Sequence, residues 1–204
     1  MNKSFGFLLT VCMLFGTVPA SWAAPFVIDS FEPGSQLNTL GGEGSTYQRE
    51  PSQIQAVRGA TPGFSGYGCL VLTYTKKGKG GPYDSGGWIG YYELLEPANT
   101  KRWFDASKFR SITFWVCGQK GKENFKVGLT DAARFVRGDA VKSRPVSEYV
   151  PQRVITTGWQ KATIPMNDLF VVQNQLASIV FCIEGDFPNG ESAGRIYIDE
   201  LTFE

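Results

Sequence analysis

Short runs of alternating apolar and polar residues dominate the chain, and clusters of Gly, Pro, Asn and Asp separate them. A period of two marks a strand with one buried face. Phe109 to Cys117 (FRSITFWVC) puts Ile112, Phe114 and Val116 on one side. Phe125 to Leu129 alternates in the same way, as do Gln160 to Ile164, Ser178 to Ile183 and Arg195 to Leu201. Cys69 to Tyr74, Trp88 to Leu95 and Phe26 to Phe31 add three more runs. No long segment shows a helical period between caps. Asn167 to Phe170 and Gln173 to Ala177 predict single helical turns. Strands of this number and length predict an all-β sandwich of two antiparallel sheets. Long loops are expected over Asn38 to Ser65, Lys76 to Gly87 and Asp131 to Gln152, and such loops often carry function.

The first residues stand apart from this pattern. Lys3, an uncharged apolar run from Phe5 to Val18 and small residues up to Ala24 predict a signal peptide over residues 1–24. The run falls short of the roughly 20 residues that a membrane span needs. Residues 25–204 then form one exported domain, secreted or periplasmic, of a size that buries a sizeable core. The chain has 20 Lys and Arg against 19 Asp and Glu, and without Lys3 the charges balance. Such a balance carries no electrostatic footprint for nucleic acid.

Histidine is absent from the sequence, which removes the commonest general base and the commonest transition-metal ligand. Serine and cysteine triads are excluded with it. Asp84, Glu93, Asp131, Glu148, Glu184 and Asp186 are candidate acids, but no spacing pairs them as a hydrolase or lyase requires. Beyond the leader the cysteines are Cys69, Cys117 and Cys182. Strand parity puts Cys117 and Cys182 on outward faces, where a bridge would form if their strands were neighbours.

Parity also turns Trp115, Lys126 and Glu184 outward. On one sheet these would set an aromatic ring beside a cation and a carboxylate, which suits a sugar: the ring covers its C–H face and the charges bond its hydroxyls. The opposing reading has a loop covering Trp115. In GGWIGYYELL (residues 86–95), Trp88, Gly90 and Tyr92 share a face, with Gly90 leaving a notch for a ligand or a neighbouring side chain. Aromatics occupy both faces of this run, so Trp88 reads equally as core filler. Acids near the ends of the first and last strands, among them Asp29, Glu32, Asp199 and Glu200, suggest a calcium seam or simple strand-end caps.

The ordered series FVIDSFE, LNTLGG, YGCLVLTY, GGWIGYYELL, FRSITFWVCG, KENFKVGLTD, TTGWQKATIPMNDL and GRIYIDELTFE resembles the carbohydrate-binding jelly-roll domains of the galactose-binding-like superfamily. It is most similar to family-11-type carbohydrate-binding modules and to the complex I intermediate-associated domain. The resemblance implies a jelly-roll β-sandwich, a glycan-binding concave face and a structural Ca2+ held by Glu32 and Asp199. The expected glycan site comprises Trp88, Tyr92, Trp115, Lys126, Asp131, Arg134 and Glu184. An envelope assembly protein that docks a protein partner on the same face is the alternative.

Overall fold

The computed structural model describes residues 23–77, 88–100, 102–184 and 193–204. Most of the predicted leader, together with Asp84, Asp186 and the loop segment from Gly78 to Gly87, lies outside them. The elements run β1 (Phe26–Asp29), β2 (Gly44–Gln48), β3 (Gln53–Ala60), β4 (Cys69–Thr75), β5 (Ile89–Leu94), β6 (Ser111–Gly118) and β7 (Lys126–Asp131). After them come α1 (Ala132–Arg137), β8 (Val141–Pro145), β9 (Gln160–Pro165), β10 (Leu176–Ile183) and β11 (Ala193–Phe203). Short 3-10 turns at Met166–Asp168 and Gln173–Gln175 fall at the two predicted helical turns.

Two antiparallel sheets result. One has the order β3-β4-β11-β6-β9, with β1 also on β11; the other has the order β2-β5-β10-β7-β8. Below they are called the first and second sheets. The first and last strands pair as the sequence suggests, Phe26 opposite Phe203 and Asp29 opposite Leu201. Alternation predicts the inner faces well: Ile112, Phe114, Val116, Val127, Leu129, Ile179, Phe181 and Ile183 are all buried. Phe114, Phe125 and Phe181 meet between the layers with ring centroids 5.7–6.0 Å apart. Truncating one such ring in a packed core costs about 3–5 kcal/mol.

Two predicted loops contain more structure than their composition indicates. Asn38 to Ser65 holds β2 and β3, and Asp131 to Gln152 holds α1 and β8. In β3 the inward positions are Ile54, Ala56 and Arg58, so an arginine interrupts the apolar period. Arg58 is buried because it has partners on both layers. Its guanidinium bonds Asp29 at 2.6 Å, Glu93 at 3.3 Å and the Tyr91 hydroxyl at 3.1 Å. Tyr91 in turn donates to Glu93 at 2.7 Å, and the Asn38 amide donates to Glu93 at 3.2 Å. Glu93 is therefore a core residue in a closed polar cluster, not a surface acid. Burial, and then repulsion from Asp29, push its carboxyl up to about 8, against the pull of Arg58.

The sandwich also separates residues that parity alone would join. Cys117 lies on β6 of the first sheet and Cys182 on β10 of the second, and both are free thiols, as is Cys69. The cross-strand bridge is thus ruled out by sheet membership. Trp115 is likewise on the first sheet, while Lys126 and Glu184 belong to the second.

Candidate functional site

The outer face of the second sheet is built in rows that its register dictates. Tyr47, Gly90, Cys182 and Lys126 lie side by side across four strands. Ser45, Tyr92, Val180, Gly128 and Lys142 form the next row, and Leu94, Ser178 and Thr130 the one beyond. Small side chains therefore run down the middle, along β10, and large ones stand at the flanks. The outcome is a trough of about 590 Å3, within the size range of small-molecule sites. From Ser178 to Glu184 its floor spans about 20 Å of extended chain.

One wall is aromatic. Tyr47 and Trp88 meet at 5.6 Å between ring centroids, and Tyr92 stands one row further on. Trp88 is 41% exposed, so it is rim and not core. The notch at Gly90 is filled by Tyr47: a Cβ there would lie 2.4 Å from the Tyr47 hydroxyl oxygen and 2.2 Å from the Phe181 carbonyl. The Tyr47 hydroxyl donates to the Cys182 thiol at 3.2 Å, which fixes the ring over the floor. Sequence reasoning missed Tyr47 because β2 is a short polar edge strand, with only the alternating Ser45 and Tyr47 as a signal.

The opposite wall comes from α1 and the turn after it, through Phe135, Gly138, Asp139 and Lys142. Asp131 caps α1 by accepting from the Arg134 backbone N–H at 3.0 Å, and its carboxylate also takes the Arg134 guanidinium and the Val172 N–H. Gly138, at φ +66°, closes the helix in the left-handed conformation. Neither Asp131 nor Arg134 lines the trough. They hold the helix that carries Phe135.

Charge sits at one end. Glu184 accepts from Lys126 at 2.8 Å and from Lys142 as well. Burial works to raise its pKa, but the two ammonium hydrogen bonds outweigh it and keep the carboxyl below its ordinary range. Glu184 is an ionised acceptor at neutral pH. Lys142 lines the trough beside it, and Lys126 stands at the edge as a support.

Trp115 belongs elsewhere. The loop between β3 and β4 lays Phe64 flat on it, 3.5 Å between centroids and 15° between planes, and Trp159 packs edge-on against Phe64. The covering-loop reading is the one realised, on the far sheet from the trough.

The predicted calcium pair fits poorly. The Asp199 carboxylate accepts backbone N–H groups from Phe64, Ser65 and Glu200 at 2.8–3.1 Å. Glu32 receives the Tyr67 N–H on both oxygens. Oxygens ringed by N–H donors face positive dipoles where a cation needs further oxygen ligands. Among the described residues no three Cys, Asp or Glu side chains gather to hold a metal ion.

Comparison with known proteins agrees with this architecture. The family described as carbohydrate binding domain 30 matches residues 36–204. A family 30 carbohydrate-binding module of a cellulosomal cellulase of Clostridium thermocellum aligns with TM-score 0.54 and 20% identity, over 90% of this chain and 94% of that one. A β-1,2-glucanase from Parabacteroides distasonis aligns with TM-score 0.58 and 16% identity over 88% of this chain, but over 25% of its own length. A family 29 carbohydrate-binding module solved with mannohexaose gives TM-score 0.51 and 12% identity, covering 88% of this chain and 90% of that one. At these identities the structural likenesses show the sandwich fold alone. No curated protein matches the chain. The matched family is 30, not the family-11 type that the motif order suggests. By that match the chain belongs to the carbohydrate binding domain 30 family.

Proposed function

We propose that this chain is an exported, non-catalytic module that holds a β-linked hexose polymer in the trough of the second sheet. The observation that carries the reading is the aromatic wall of exposed Trp88 and half-buried Tyr47 and Tyr92, standing beside an ionised Glu184 and Lys142. Pyranose rings present apolar C–H faces and a rim of hydroxyls. The aromatic rings cover the faces, Glu184 accepts from the hydroxyls and Lys142 donates to them. The similar structures support a glucan or mannan, since they include a cellulase module, a β-1,2-glucanase and a mannohexaose complex. A shallow, solvent-open site implies weak affinity for a single oligosaccharide.

The same electrostatics make Glu184 unfit as the general acid of a glycosidase. Among the described residues two acids line the trough, Asp139 and Glu184. A glycosidase needs one of its pair protonated near neutral pH, and the two lysines hold Glu184 in the opposite state. Asp131 and Arg134 serve the site through α1, and Trp115 takes no part in it.

Gel retardation against soluble β-glucans and mannan tests the reading. Binding to at least one polymer is expected. Trp88→Ala and Tyr92→Ala should each weaken it by about tenfold, roughly 1.4 kcal/mol, with the melting temperature of the Trp88 variant nearly unchanged. Retention by no polysaccharide, with capture of one envelope protein instead, would replace glycan binding with docking.

A further inference from the structure

One end of the trough has a feature that glycan binding alone does not require. Phe104 forms a two-way bridge with Leu176 at the start of β10, on the side of β10 where β5 ends. The Phe104 ring packs into the core against Phe203 and Phe109. Trp103, the preceding residue, remains 36% exposed and meets Phe135 edge-to-face at 6.2 Å between centroids. Phe135 arrives from the other side of β10, on α1, which follows β7. The two rings therefore meet just beyond the end of the trough, whose lining includes Phe135 but not Trp103. At their foot the Thr130 and Ser178 hydroxyls are bonded to each other at 2.6 Å and buried.

We propose that the Trp103–Phe135 pair is an end wall, so that the trough takes the end of a glycan chain and not a stretch of its middle. The proposal rests on the glycan-binding reading above. A chain lying along β10 would have to pass through the joined rings to continue beyond Ser178. A terminal sugar stops against them, its apolar face on Phe135 and its hydroxyls over the Thr130–Ser178 pair. Asp131 and Arg134 acquire a purpose here, because the cap and the ion pair hold α1 at the height where Phe135 reaches Trp103.

The test counts sites by calorimetric titration against whichever soluble β-glucan or mannan gel retardation shows to be held, or against mixed-linkage β-glucan if none is, intact and after partial digestion by an endo-acting hydrolase. For the unmodified protein, sites per gram of polymer should rise in proportion to the chain ends created. In Trp103→Ala the count should become indifferent to digestion, because the wall is breached. Trp103→Leu, which keeps apolar packing, serves if the alanine variant does not fold, and the same indifference is expected of it. A count per gram that digestion leaves unchanged in the unmodified protein overturns end recognition while leaving glycan binding intact. A count that still follows chain ends in the Trp103 variants overturns the role of the pair. Binding to neither form overturns the glycan reading and this proposal with it.

Discussion

At the residue scale, the strongest departures from the sequence reading involve side chains whose type disguises their place. Glu93 sits in a run where both faces carry aromatics, so alternation could not tell that Tyr91 and Glu93 point inward while Trp88 and Tyr92 point out. Arg58 is hidden for the converse reason: a buried cation in an otherwise apolar face breaks the period that identifies a strand. Both become intelligible only when five polar side chains from distant parts of the chain are seen to bond one another. The cluster has a consequence for stability. Glu93 has its pKa raised from 4.5 to about 8 in the folded chain, so the native state holds a proton that the unfolded chain releases between these values. Stability should fall as pH rises through that window and level off above it. Thermal melts across this range should show the slope in the unmodified protein and a flatter profile in Glu93→Gln. An equal slope in both would show that another group is responsible.

At the scale of elements, parity was correct within strands and silent about which sheet each strand joins. Lys126 and Glu184 do share an outer face, and Trp115 does point outward, but β6 belongs to the other layer. No local pattern records that assignment, because it depends on pairings between residues far apart in sequence. The edge strands β2 and β8 escaped notice since they are short, polar and flanked by loops. Tyr47 and Lys142 were lost with them, although both line the site. Trp115 offers a direct check. Trp115→Ala should leave glycan affinity unchanged while costing about 2 kcal/mol in denaturant unfolding, less than a fully buried tryptophan would. Loss of glycan binding in a folded Trp115 variant would place the site on the wrong sheet.

At the scale of the molecule, the two-layer sandwich was legible because it follows from periodicity and chain length alone. The trough was legible in kind, through outward aromatics and charges, but its position required the register. The calcium expectation came from acids near the ends of the first and last strands and from resemblance, and it meets a seam already supplied with hydrogen-bond donors. Addition of calcium and treatment with a chelator should therefore leave the melting temperature the same. A rise with calcium would mean that the Asp199 loop rearranges to admit an ion.

The guanidinium of Arg58 has a larger meaning at this scale. Apolar layers tolerate sliding, since one methyl group replaces another at little cost. A cation with acidic partners on both layers favours a single alignment, because an offset strands a largely buried charge without them. The sandwich is thus keyed like a dovetail joint. The placement of the ligand-bearing leaf over its neighbour is set, through that key, by a side chain of the opposite leaf.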